Sequence, residues 1–308
     1  MNRRESIIIF AIVFLGLIFC RCAEKNPDMD NDEPDTLKND PVLVDTFDAP
    51  IFNPGKWGLS FHPLDDGIYP EIVSSPTRAG SGSIKQTVQY KWNGEQNSNR
   101  CEIQAYRQIN PRIGQHKGYY QRLDESWTGF SIYFPSASWG PDNISKEIVF
   151  QLHGSADSGE PSKSPPLSLK VDLGSTECYW QVRWDENLIS NSAQPTGSGA
   201  GVADIWRGTI DKDQWTDWVV HAKWDYANDG IGFIEIWRNG EKVATRNGPN
   251  MFNDKLGMRG PIFGIYKWDW KKGPSDVTER IIYHDEFRDY DGTASYDDVD
   301  PAQRDIGR

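Results

Sequence analysis

Three short stretches of this 308-residue chain put chemically useful side chains two residues apart, the spacing that sets both on one face of a β-strand. In Asn99-Arg-Cys-Glu-Ile-Gln104, Arg100, Glu102 and Gln104 share a face while Cys101 and Ile103 take the other. A carboxylate so placed fixes the guanidinium by a charge-assisted hydrogen bond. In Lys146-Glu-Ile-Val-Phe-Gln-Leu-His-Gly154, alternation sends Ile148, Phe150 and Leu152 inward and Val149, Gln151 and His153 outward. His153 then ends a strand just before a glycine and a long loop, a common position for a functional side chain. In Gly260-Pro-Ile-Phe-Gly-Ile-Tyr-Lys267, Phe263 and Ile265 point inward, which leaves Ile262, Gly264, Tyr266 and Trp268 on the opposite face. Gly264 clears space beside Tyr266, and Trp268 and Trp270 offer flat apolar faces, the make-up of a floor for a sugar chain. Each stretch also has a plainer reading: an exposed ion pair worth under ~1 kcal/mol, a structural histidine, and a half-buried strand with a surface tyrosine.

The elements that carry these residues are strands throughout. From residue 42 onward the chain shows period-two patterns and almost no helical periodicity. The pattern predicts strands at Val42–Phe47, Ser83–Trp92, Asn99–Arg107, Trp127–Phe134, Lys146–His153, Leu167–Leu173, Glu177–Asp185, Asp217–Asp225, Ile231–Arg238, Lys242–Thr245, Pro261–Trp268 and Arg280–Arg288. Asn239-Gly240 between two of them is a type I′ hairpin signal. Long loops are expected at Gly154–Pro166 and Ile189–Asp213. A dozen strands without crossover helices make an all-β fold, a two-sheet antiparallel β-sandwich with one concave face. The 13 Trp, 12 Tyr and 13 Phe fit an extracellular β protein, and a formal charge of −12 excludes nucleic acid as a partner.

Arg100-Cys-Glu-Ile-Gln104, Gln151-Leu-His153 and Phe263-Gly-Ile-Tyr266, in that order, resemble the motifs of jelly-roll polysaccharide lyases, a group that includes alginate lyases, glucuronan lyases and the heparin lyase I family. Trp127-Thr-Gly-Phe-Ser-Ile-Tyr-Phe-Pro135, Trp237-Arg-Asn-Gly240 and Tyr283-His-Asp-Glu286 are similar to the same group, so the resemblance covers about residues 42–291. It implies a β-jelly roll of the concanavalin-like kind, with the three motifs side by side on the concave sheet. One departure stands out: the family pattern Lys-x-Gly-x-Tyr has a lysine where this chain has Ile262. Either Lys267, Lys271, Lys170 or Arg183 replaces it, or the substrate differs. Lys170 and Arg183 fall opposite the core phases Leu167, Leu169, Val171 and Trp180, Val182, Trp184, and so face the groove.

The resemblance also implies β-elimination from a uronate within an anionic polysaccharide. Arg100 and Gln151 donate hydrogen bonds to the C6 carboxylate and so stabilise the enolate-like intermediate. Tyr266 protonates the leaving oxygen and, for syn elimination, also takes the C5 proton; His153 is the alternative base or a neutral donor. Glu102 orients Arg100. Glu102, Gln104, Lys170, Arg183, Lys267 and Trp268 make up the substrate-binding set. The scheme needs no cofactor and no metal. The Asp285-Glu286 and Asp297-Asp298 pairs read as charged surface, with a structural calcium as the alternative.

The ends have their own chemistry. Arg3 and Arg4, the apolar run Ile7 to Phe19, and Cys20 follow the order of a bacterial lipoprotein signal. The expected arrangement is a signal at 1–22 lipidated at Cys20, or else at Cys22, an acidic tether at 23–41, the lyase domain at 42–291 and a polar tail at 292–308. Such a chain is held at the cell envelope by its lipid, facing the periplasm or the cell surface. Cys101 and Cys178 both fall on inward phases, which leaves buried thiols and a disulfide both open. Two rivals differ in class. A retaining glycosidase needs paired carboxylates, yet the usual Glu-x-Asp-x-x-Glu strand is absent, since its nearest start, Glu33-Pro-Asp35, ends at Lys38. A non-catalytic carbohydrate-binding protein explains the tryptophans but has no need of Gln151 with His153. Glucuronan comes first among substrates, alginate second and sulfated glycosaminoglycans third.

Overall fold

The computed structural model describes residues 43–49, 56–62, 70–90, 100–105, 124–154, 156–187, 191–254, 258, 260–270 and 274–303. The expected export signal with Cys20 and Cys22, the expected tether, Lys271 and the last five residues lie outside the described residues.

Among the described residues fifteen strands run in chain order as β1 (Leu43–Asp45), β2 (Trp57–His62), β3 (Glu71–Val73), β4 (Ser83–Gln89), β5 (Arg100–Ala105), β6 (Glu125–Tyr133), β7 (Glu147–Leu152) and β8 (Leu167–Val171), then β9 (Glu177–Trp184), β10 (Gly201–Thr209), β11 (Trp215–Lys223), β12 (Phe233–Arg238), β13 (Glu241–Asn247), β14 (Ile262–Tyr266) and β15 (Glu279–Asp291). They form two antiparallel sheets. One has the order β10-β9-β8-β7-β14-β5-β2; the other runs β13-β12-β11-β6-β15-β4-β3, with β1 also paired to β15. This is the β-sandwich jelly roll that the alternation predicts, and all twelve predicted strands are present.

One apolar layer joins the sheets. Phe130 of β6 stacks on Phe150 of β7 at 4.2 Å, and Trp180 of β9 meets Trp218 of β11 edge-on at 5.5 Å. All four rings are buried, each worth roughly 1.5–3 kcal/mol of transfer free energy. Asn239 and Gly240 close the β12–β13 hairpin with φ of 50° and 84°, the left-handed pair that a type I′ turn requires.

Three strands are additional to those expected. β3 has only three residues, and β10 occupies much of what reads as the Ile189–Asp213 loop. A register shift between Asp204 and Trp206 breaks the β10 alternation, so no period-two signal survives. The stretch read as a polar tail includes one helical turn, α1 (Tyr296–Val299), with Val299 fully buried. Cys101 and Cys178 are free, buried thiols, and burial pushes both up to about 12.

Candidate active site

β5, β14 and β7 lie side by side in the seven-stranded sheet, so pairing alone brings the three motifs together. Tyr266 sits opposite Arg100 on β5 and opposite Ile148 on β7. The Arg100 guanidinium lies over the Tyr266 ring, 3.7 Å from its centroid. Such a cation favours negative charge developing on the ring and its oxygen. Below it, Arg100 Nε is 3.2 Å from Glu102 Oε2, and Gln151 Nε2 donates to Glu102 Oε1 at 2.7 Å. Because Glu102 and Gln151 belong to the strands flanking β14, their hydrogen bond spans it.

Glu102 is wholly buried. Burial holds its carboxyl above the ordinary range, while Arg100 and Gln151 pull it back. It therefore orients Arg100 and Gln151 and does not touch substrate, which corrects its place in the binding set. Gln104 is half-buried beside Ile262, the position where the family pattern has lysine. His153 follows the end of β7 and lies 2.7 Å from the Gly154 carbonyl through Nδ1. A carbonyl only accepts, so Nδ1 carries the hydrogen, and Nε2 is the nitrogen through which the ring would act as a base.

Strict alternation fails at two points. β7 gains an extra residue relative to β8 between Ile148 and Phe150, so Val149 joins the core and Ile148 turns to the outer face, the reverse of expectation. β14 gains one relative to β7 between Phe263 and Tyr266, and there Gly264 has φ 137°. A Cβ on Gly264 would collide with the Cys101 carbonyl and the Gln86 amide. The glycine serves close backbone approach, and the space beside it is filled by protein instead of opening a sugar cleft. Gln86, from β4 in the other sheet, donates to the Phe263 carbonyl at 2.8 Å and accepts from His284 Nδ1 at 2.9 Å. Burial pushes His284 down to about 3, so it is neutral. Gln86 was not singled out from sequence, because it looks like an ordinary polar member of its strand, and His284 entered only within Tyr283-His-Asp-Glu286, with no role attached.

The expected cations divide. Lys267 follows Tyr266 but faces inward, fully buried. It pairs with Asp142 at 2.8 Å and with Glu147, which also binds Arg280 at 2.9 Å. Burial lowers its pKa and Glu147 opposes the shift. It is a core ion, and so not a substrate ligand. Trp270 is likewise buried, donating to Asp142 at 2.9 Å, and offers no ring to a sugar. Trp268 is half-buried, 5.9 Å from Tyr266. Lys170 lies over that indole at 5.5 Å and donates to Gln181 Oε1 at 2.8 Å. Burial, with Arg183 and Lys146 adding repulsion, pushes Lys170 down to about 7. Arg183 donates to the Gln194 amide oxygen and the Pro165 carbonyl, both at 3.3 Å. Gln181 lies between Trp180 and Val182, so the same alternation that exposed Arg183 marks it too.

The pairs considered for calcium are otherwise engaged. Asp285 accepts the Arg78 amide at 2.8 Å, Glu286 pairs with Arg288 at 2.6 Å, and Asp298 caps α1 through Ser295. Among the described residues no three His, Cys, Asp or Glu side chains converge as metal ligands.

No curated protein matches the chain. Among solved structures, endo-β-1,4-glucuronan lyase from the fungus Trichoderma reesei is similar at 17% identity and TM-score 0.57, over 86% of this chain and 96% of that one. An alginate lyase from Aplysia kurodai (10%, TM-score 0.45, 72% and 87% covered) and a β-glucanase catalytic domain from Podospora anserina (12%, 0.45, 76% and 82%) are also similar. At such identities likeness concerns the fold. A family model described as polysaccharide lyase matches residues 64–288, a span that takes in Arg100, Gln151, His153 and Tyr266, and on that match the chain belongs to the polysaccharide lyase family and is a lyase.

Proposed function

We propose that the protein cleaves a uronate polymer, with β-1,4-linked glucuronan as first substrate and alginate second, by β-elimination. The observation that carries this reading is the Arg100 guanidinium stacked on Tyr266 above the buried Glu102–Gln151 pair. A uronate carboxylate meeting Arg100 is neutralised, which lets the C5 proton leave. The base takes that proton, the electron pair forms the C4=C5 double bond, the C4–O4 bond breaks, and O4 is protonated. Tyr266 stands next to the guanidinium and serves as the acid. For syn elimination it is also the base, with His153 Nε2 as the alternative.

Glucuronan is placed first because the lysine typical of alginate and heparin relatives is missing here, with Ile262 in its place, so the cationic requirement at that point is lower. The test is ultraviolet absorbance of the conjugated uronate product with glucuronan, alginate, hyaluronan and heparin in turn. Growth on glucuronan is expected, and Tyr266→Phe should lower the rate by roughly 10²–10⁴-fold with binding retained. Retained binding without product on any polymer would replace this reading with a carbohydrate-binding role.

A further inference from the structure

Six cationic side chains among the described residues are buried: Lys163, Lys170, Arg183, Lys267, Arg280 and Arg288. Four pair with carboxylates, Lys163 with Glu160, Lys267 with Asp142 and Glu147, Arg280 with Glu147, and Arg288 with Glu286. Lys170 and Arg183 alone do not, and both stand on the outer face of the sheet that carries Tyr266. They are 5% and 8% exposed, and their hydrogen bonds go only to neutral oxygens, those of Gln181, Gln194 and Pro165. Asp204, the carboxylate whose charge reaches both, forms no ion pair with either and is held by the Gln181 amide at 2.7 Å and by Arg207 at 3.2 Å. Burying a charge is expensive unless an opposite charge compensates it. Two neighbouring cations left without one mark a site whose anion arrives with a ligand.

Register gives the spacing. Tyr266 pairs with Ile148, and Ile148 with Lys170, so Lys170 lies two strands from the tyrosine, roughly 10 Å away. Lys170 pairs with Tyr179, and Arg183 is four residues further along β9, roughly 13 Å, near the end that His153 occupies. Arg100, Lys170 and Arg183 thus form three separated positive points on one face.

We propose that Lys170 and Arg183 form a second carboxylate-binding wall, so that the enzyme takes chains bearing uronate carboxylates on successive sugars. The identity of the anion rests on the uronate-lyase reading above. A polymer in which uronate alternates with a neutral sugar leaves this wall unsatisfied and is a poor ligand. The groups around Lys170 are Gln181, Trp268 and, opposite it in the sheet, Tyr179; of the charged groups, Arg183 and Lys146 disfavour its charge and Asp204 favours it. Polyuronate binding therefore weakens as pH rises through about 7.

The test uses the full chain carrying Tyr266→Phe, which does not consume the polymer, with and without Lys170→Met. Affinity is measured by calorimetry for glucuronan, for glucuronan methyl ester and for hyaluronan, while product formation by the wild type separately tests the lyase reading. Lys170→Met should weaken glucuronan binding roughly tenfold or more, remove its pH dependence near neutrality and leave the ester and hyaluronan unaffected. Because it removes an uncompensated charge, it should not lower the melting temperature. The proposal is overturned by unchanged glucuronan affinity, by equal loss on the methyl ester, or by a variant that melts well below its parent.

Discussion

Tyr266 and Lys267 are neighbours in the chain with opposite surroundings. The tyrosine keeps an open edge under Arg100, whereas the lysine is sealed among Asp142, Glu147, Arg280 and the Trp270 ring, 4.6 Å from its ammonium. Lys267→Met would leave two buried carboxylates short of a cation, which costs about 3–5 kcal/mol. Urea unfolding should show that loss, and a melting curve unchanged from wild type would mean that the cluster carries no net stability. Lys170→Met should do the opposite and leave the melting curve in place, because Lys267 is ion-paired within the core and Lys170 has no carboxylate partner. Much of this was open to inspection in the sequence. Phe263, Ile265 and Lys267 share one phase, yet a lysine reads as a surface residue unless its partners are known, and Asp142 and Glu147 both lie more than a hundred positions earlier in the chain. Arg100, Gln151 and Tyr266 were legible because each lies on a strand whose apolar neighbours declare the core side.

At the scale of elements, the bulge in β14 decides where Tyr266 stands. Gly264 permits it, and Gln86 fastens it by binding the Phe263 carbonyl that the bulge exposes. Gln86→Leu would leave that carbonyl and the His284 Nδ1–H unpaired, about 1–3 kcal/mol for each. It should also lower kcat by up to ~10²-fold through misplacement of the phenol, since errors near 1 Å cost that much. Steady-state kinetics decides the matter, and a folded Gln86→Leu enzyme with wild-type kcat would refute the link. Bulges are what sequence periodicity conveys least. An extra residue shifts phase without changing composition, so Val149 and Ile148 exchanged faces and β10 read as loop. The hairpin at Asn239-Gly240 was plain because its turn chemistry is local.

For the whole molecule, alternation and the lack of crossover helices were enough to predict two antiparallel sheets, but which strands face each other across the sandwich depends on contacts that no local pattern encodes. His284 is one such case, sealed between the sheets and neutral. Its folded pKa, about 3, lies below the ordinary 6.5. Between those values the unfolded chain binds a proton that the folded one does not, so stability is full above about 6.5 and falls as pH drops toward 3. Urea midpoints should decline over that interval, and His284→Gln should flatten the decline; an unaltered slope would assign it to other groups. The same seclusion has a spectroscopic consequence. Gln86 fixes the ring N–H of His284, and solvent does not reach it, so its proton resonance should persist where exposed imidazole protons exchange away. Tied through Gln86 to the backbone beneath Tyr266, it would report polymer arriving on the far side of the sheet as a change in magnetic environment, with no label attached to the enzyme.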